Sequence, residues 1–83
     1  MAIEFTMPKL GHLMEEGMVC RWLKQVGERV EKGDFLLEVE MDKAILEVES
    51  FSSGTLLKIL VEEGETVPVG TPLALLGDPG EQL

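Results

Sequence analysis

The sequence predicts an all-β fold: a flattened barrel or sandwich of two four-stranded antiparallel sheets with internal pseudo-twofold symmetry and essentially no helix. Three observations predict it. Apolar and polar residues alternate in short runs, nine glycines and four prolines cut the 83-residue chain at fairly regular intervals, and the second half repeats the frame of the first. Period-two alternation marks a strand with one buried face. Short strands with turn signals every eight to twelve residues or so belong to barrels and sandwiches.

The elements follow in order. Ile3, Phe5 and Met7 sit two apart with Glu4 and Thr6 between them, which gives a first strand. Pro8 to Glu16 is too polar and irregular for a strand and reads as a surface loop. Met18 to Leu23 is apolar apart from Arg21, the pattern expected of a strand buried on two sides. Leu37-Glu38-Val39-Glu40-Met41-Asp42 alternates throughout, and Leu46-Glu47-Val48-Glu49 alternates again, out of phase by one residue. A two-residue hairpin turn at Asp42-Lys43 produces that phase change. It sets Met41 opposite Ala44, Val39 opposite Leu46 and Leu37 opposite Val48. A slip of one residue would set Glu47 and Glu49 against Val39 and Leu37, so the register is well specified. Asp suits a turn with positive φ and Lys does not, while a type I turn also fits; the turn type stays open.

The repeat has an offset of 37 residues. Without gaps, Gly17, Leu23, Gly27, Glu28, Val30, Gly33 and Leu36 fall on Gly54, Leu60, Gly64, Glu65, Val67, Gly70 and Leu73. Val19 with Leu56 and Trp22 with Ile59 agree in character. The shared frame is glycine, strand, Gly-Glu, valine, glycine, strand. All six repeated glycines, Gly17, Gly27, Gly33, Gly54, Gly64 and Gly70, are expected at tight turns that need positive φ. Neither half could bury a face alone, so the two should pack about a twofold axis, with both termini at the end remote from Lys43.

Composition narrows the function. Sixteen acidic against seven basic residues leave a formal charge of −9, which argues against nucleic acid and anionic membranes as partners. No apolar run exceeds four residues, far short of a membrane span. The one cysteine, Cys20, permits no internal disulfide and no thiolate metal site, which favours a reducing compartment. The length suits one small domain, residues 1–77, and excludes most enzymes. Residues 78–83 look like the start of a flexible interdomain linker, so the chain is expected to be an excised fragment and a monomer.

No catalytic set stands out. Ser50, Ser52 and Ser53 have no histidine in their half and read as turn residues before Gly54. His12 is the only histidine and lacks visible partners for metal binding or base catalysis. Glu15-Glu16 and Glu62-Glu63 each precede a turn glycine and read as solvated faces. Trp22 reads as core, and Met18 and Cys20 as packing residues.

Lys43 is the exception, because the hairpin puts it at an exposed tip. An ordinary solvated turn lysine is the default reading. A Schiff-base lysine needs burial or a cationic neighbour, whereas Asp42 and Glu40 favour the charged amine. The third reading is an acceptor for a covalent group. A solvated lysine is overwhelmingly protonated at neutral pH, so the modifying enzyme has to do the activating.

Glu40-Met41-Asp42-Lys43-Ala44 resembles the attachment motif of lipoyl domains, in which Lys, usually after Asp and before Ala or Val, bears lipoic acid. Met7-Pro8-Lys9-Leu10-Gly11, Met14-Glu15-Glu16-Gly17, Trp22, Gly27 to Gly33, and Gly54 eleven residues after the lysine also match, so the resemblance covers residues 3–77. It implies a non-catalytic swinging-arm carrier of a 2-oxo acid dehydrogenase complex, belonging to a dihydrolipoyl acyltransferase. Lipoate on Lys43 would be reductively acylated by the thiamine-diphosphate decarboxylase, deliver the acyl group to coenzyme A at the acyltransferase, and be reoxidised by dihydrolipoyl dehydrogenase. A lipoate-attaching enzyme completes the implied partners, and the bacterial cytoplasm or mitochondrial matrix is the implied compartment. Glu40, Met41, Asp42 and Ala44 would be recognised around the lysine. The loop carrying Leu10, Gly11, His12, Leu13, Met14 and Glu15 would help the decarboxylase choose its domain.

Met41 departs from the family's usual Thr, and its cross-strand position suggests simple packing on Ala44. Biotinyl domains share the fold but place Met on both sides of the modified lysine, whereas the flanks here are Asp42 and Ala44. An unmodified structural adaptor is the remaining alternative. The Met7 to Trp22 segment is nearer the pyruvate, acetoin and branched-chain types than the 2-oxoglutarate type, and pyruvate is the expected oxo acid.

Overall fold

The alternating runs form the expected strands. The computed structural model describes residues 2–80. Its strands are β1 (Ile3–Thr6), β2 (Glu16–Trp22), β3 (Arg29–Val30), β4 (Phe35–Met41), β5 (Ala44–Glu49), β6 (Gly54–Ile59), β7 (Thr66–Pro68) and β8 (Pro72–Gly77). No helix occurs among the described residues. Two four-stranded antiparallel sheets, ordered β1-β8-β6-β3 and β5-β4-β2-β7, enclose a core that includes Phe5, Val19, Leu37, Val39, Leu56 and Leu76. The 37-residue offset carries β2, β3 and β4 onto β6, β7 and β8, and the chain order carries β1 onto β5. Each sheet is therefore the pseudo-twofold image of the other.

The repeated glycines divide into two kinds. Gly27, Gly33, Gly64 and Gly70 have φ of 98°, 96°, 93° and 93°. Each is the third residue of a turn closed by a backbone hydrogen bond, Glu28 N to Gln25 O and Glu65 N to Glu62 O among them, at 3.0 and 3.3 Å. Positive φ there is the demand of a type II turn. The conserved spacing of the glutamates has its own reason, since Glu28 and Glu65 accept the N–H of Gln25 and Glu62 at 2.7 and 2.9 Å. Gly17 and Gly54 are not turn glycines; they lie in β2 and β6. A Cβ on Gly17 would stand 2.8 Å from Met14 Cε and 2.9 Å from Val39 Cγ1, and one on Gly54 3.2 Å from Gly77 O. Close approach, not backbone curvature, selects glycine at both.

The halves clasp each other. Gly27 N donates to Leu56 O and Leu56 N to Glu28 O at 2.8 and 2.9 Å; in mirror image, Gly64 N donates to Val19 O and Val19 N to Glu65 O at 2.7 and 2.9 Å. Each Gly-Glu turn thus completes the first repeated strand of the opposite half. Neither half supplies these partners for its own Gly-Glu turn.

Two burial expectations are corrected. β2 is buried on one face only: Gly17 and Val19 are buried, while Met18 and Cys20 are half-buried on the other face. A register shift between Val19 and Arg21 lets the apolar run continue without a second core. Trp22 lies at the core's margin, half-buried, where its indole N–H donates to Val61 O at 3.0 Å.

The termini of the sheet sit away from Lys43. Ile3 pairs with Leu76, and Gly77 pairs with Thr55, just after the β5–β6 connection at the base of the hairpin. The opposite ends of β1 and β8 run toward Thr71 and Glu15, beside the hairpin's far end. Asp78 to Gly80 continue as a turn, and the remainder of the expected linker, residues 81–83, lies outside the described residues.

Candidate functional site

The β4–β5 hairpin has the register that alternation dictates. Met41 pairs with Ala44, Glu40 with Ile45, Val39 with Leu46, Glu38 with Glu47 and Leu37 with Val48. A shift between Phe35 and Leu37 then turns both Leu36 and Leu37 into the core, where each is fully buried. The two-residue turn assigns its residues by their backbone tolerance. Asp42 takes φ 53°, and Lys43 is not among the positive-φ residues. A positive first and negative second φ is the sign pattern of type II′, not type I or I′. Asp tolerates that region better than Lys, so the lysine keeps an ordinary backbone.

Lys43 is exposed, as are Asp42 and Ala44. Among the described residues no ion pair or hydrogen bond engages the Lys43 side chain. Glu40 is half-buried on the outer sheet face, next to Met18 on β2. There its carboxylate stands 4.0 Å from the Cys20 thiol. Burial, and then the charges of Glu40 and Glu38, push the Cys20 thiol pKa up.

The loop between β1 and β2 folds against the hairpin. Its start is fixed by Met7 N to Thr71 O and Gly70 N to Met7 O, at 2.8 and 2.9 Å, and its end by Val69 N to Glu15 O at 2.9 Å. Between these clamps Met14 N bonds Gly11 O at 3.2 Å, and Leu10 N points at Met14 Sδ at 3.1 Å. Met14 is buried at 7% exposure and anchors the loop from below. Leu10 packs on the core, while His12, Leu13 and Glu15 are exposed, Leu13 at 88%. Met41 does more than face Ala44. Its Cε lies so near Gly11 that a Cβ there would stand 2.7 Å away, so the methionine closes the gap between hairpin and loop.

That contact leaves an open groove of about 710 Å³ whose walls are Gly11 to Glu16 on one side and Met41 and Asp42 on the other. A smaller hollow of about 240 Å³ continues on the opposite side of Met41, bordered by Glu16, Met18, Glu40 and Thr66. The sequence marks Met18 only as a packing residue and Glu16 only as part of a solvated face, and it gives no sign of Thr66. The outward phase of Met18 on β2 is the one signal that could have found them.

An exposed, unengaged primary amine on a register-locked turn can form an amide without disturbing any packing. The chemistry of the tip therefore fits a covalently attached carboxylic acid. Comparison with known proteins agrees with the geometry. The Biotin_lipoyl family model, described as Biotin-requiring enzyme, matches residues 3–76. The chain belongs to this family.

Within it, this biotin/lipoyl domain resembles lipoyl-bearing proteins. It is 43% identical, over all of its length and 21% of the relative's, to the dihydrolipoyllysine-residue acetyltransferase component of the acetoin cleaving system of Bacillus subtilis. It is 43% identical, over 20% of the relative's length, to the corresponding component of the pyruvate dehydrogenase complex of Rickettsia bellii. A third relative is the pyruvate dehydrogenase E1 component subunit beta of Rhizobium meliloti, 46% identical over 98% of this chain and 18% of that protein. The chain thus spans about a fifth of the curated relatives it matches. Among solved structures, the lipoyl domain of the 2-oxoglutarate dehydrogenase complex of Azotobacter vinelandii superposes with a TM-score of 0.73 at 31% identity, covering 94% of this chain and 99% of that one. The biotin/lipoyl domain is accordingly a lipoyl domain in sequence and fold.

Proposed function

We propose that the domain is a non-catalytic carrier with lipoate amide-linked to Nζ of Lys43, serving a 2-oxo acid dehydrogenase complex of the pyruvate type. The observation that carries this reading is the placement of Lys43: exposed, unengaged, and fixed on a two-residue turn by a register that runs unbroken from Leu37–Val48 to Met41–Ala44. When bound, lipoate supplies a disulfide that can accept an acyl group with two electrons and pass it on. The chain's own residues do the positioning. β4 and β5 hold the amine clear of the sheet, Asp42 absorbs the strained backbone angle, and Met41 keeps the neighbouring loop beside the tip. Amide formation removes one positive charge from an already acidic domain, so the carrier carries its load without a cationic tip.

The relatives' names support a parent chain that is a dihydrolipoyl acyltransferase, acetyltransferase in type. Its partners are a lipoate-attaching enzyme, the thiamine-diphosphate decarboxylase, the acyltransferase catalytic domain and dihydrolipoyl dehydrogenase. In this reading Glu40, Met41, Asp42 and Ala44 are the surroundings an attaching enzyme meets, and Leu10 to Glu15 is a surface for the decarboxylase. The unpaired Cys20 supports a reducing compartment, the bacterial cytoplasm or mitochondrial matrix.

The test is intact mass after incubation with lipoate–protein ligase, lipoate and ATP, with biotin ligase and biotin in parallel. A single lipoyl increment mapped to Lys43, and none from biotin, is the expected result. A biotinyl increment would move the domain to carboxylases. No increment from either enzyme on folded protein would overturn the carrier reading.

A further inference from the structure

The groove beside the attachment hairpin begins at Asp42, the residue before Lys43, and runs back along Met41. A group extended from the lysine can therefore enter it only by folding back over the hairpin. Its far wall carries Leu13, a large apolar side chain left 88% exposed. Its near wall carries the half-buried Met41, and Met14 closes it from below. The remaining lining is Gly11, His12 and the three carboxylates of Glu15, Glu16 and Asp42, with no lysine or arginine. The volume, about 710 Å³, falls within the roughly 300–1,000 Å³ of small-molecule sites. Apolar walls under a carboxylate rim accept an uncharged acyl chain and repel an anionic one.

We propose that this groove is a resting seat for the acylated arm of Lys43, which takes up the arm's apolar carbon chain against Leu13 and Met41 and rejects the free acid. The proposal rests on the carrier reading above and deepens it. Attachment converts the acid's carboxylate to a neutral amide, which removes the one charge the rim opposes. The arm then alternates between the groove and solvent. Leu13 has little of its surface covered otherwise, so the seat costs the unmodified domain no packing.

The experiment uses the lipoylated protein, with a single mass increment at Lys43 verified first; failure at that stage is failure of the carrier reading and not of the seat. Amide 1H–15N spectra of the lipoylated and unmodified proteins are then compared. The expected result is displaced resonances at Gly11, His12, Leu13 and Glu15 as well as around Lys43, with nuclear Overhauser contacts from the arm's methylenes to the methyl groups of Leu13 and Met41. In lipoylated Leu13→Ser these contacts and the loop displacements should be lost. That side chain is almost wholly exposed, so the loss does not report unfolding. Free lipoate added to the unmodified protein should leave the loop resonances in place. Displacements confined to Met41 to Ile45 would overturn the seat and leave attachment untouched. Loop displacements that persist in Leu13→Ser without methyl contacts, or that track protein concentration in the unmodified domain, would overturn it too, in favour of a propagated backbone change or of self-association.

Discussion

Replacing Gly11 with Ala tests the contact that joins loop to hairpin. The added Cβ would stand 2.7 Å from Met41 Cε, where ordinary contact begins at 3.4 Å. Gly11 is not among the positive-φ residues, so the substitution strains no backbone angle. The methionine must swing aside, and an off-rotamer displacement costs about 0.5–1.5 kcal/mol. Met41→Ala removes a half-buried side chain instead. Full burial would put that loss at about 2–5 kcal/mol, so half-burial leaves about 1–2 kcal/mol. In the Met41→Ala background the obstacle is gone, and Gly11→Ala should become neutral or stabilise by up to about 0.4–1 kcal/mol through the unfolded chain. The two changes should therefore couple by about 1 kcal/mol, with the double variant more stable than the sum of the singles. Urea unfolding of the four proteins measures this. Additivity within about 0.3–0.5 kcal/mol would refute the contact and with it the account of how the loop is held.

Three further outcomes are expected. Gly27→Ala and Gly64→Ala meet no atom within 4 Å, so both should lose only the cost of positive φ, about 1 kcal/mol each; thermal melts should show matching drops of about 4–8 °C, and unequal ones would break the twofold argument. Lys43→Gln should stay within about 0.5 kcal/mol of the parent in urea while abolishing any ligase-dependent mass increment. The Cys20 thiol, its pKa raised by burial and by Glu40 and Glu38, should hold less thiolate at any given pH. Its alkylation profile should lie to higher pH than that of a free cysteine, and Glu40→Gln should move it part of the way back.

The register of the hairpin from Leu37 to Val48 is legible, because two alternating runs out of phase admit one pairing. The angles of its turn are not, since Asp and Lys each fit more than one turn type until the backbone assigns the positive φ to Asp42. The twofold relation could be read from seven identities, yet the clasps between halves could not, because backbone hydrogen bonds leave no side-chain signature. Gly17 and Gly54 were misjudged for a similar reason: strained turns and tight contacts select the same residue. At the site, Lys43 stood out by position. The role of Met41 against Gly11 was hidden, because it joins residues thirty apart across an aperiodic loop. Met14, buried beneath that loop, had no periodic neighbours to betray it.

The position of the strand ends has a consequence for geometry in solution. Chain enters at Ile3 and leaves at Gly77 side by side, near the base of the hairpin and remote from its tip, on a body 38 Å long and about 20 Å across. Anything fused or tethered at either end holds the domain by its heel. The body of the domain then stands between that anchor and the Asp42-Lys43 turn, so a group on Lys43 sweeps on the side turned away from the tether. A tag or surface linkage at either end should accordingly leave the tip as accessible as in the free domain, whereas an insertion in the Asp42-Lys43 turn would keep the amine but release it from the position that the Met41–Ala44 pairing fixes.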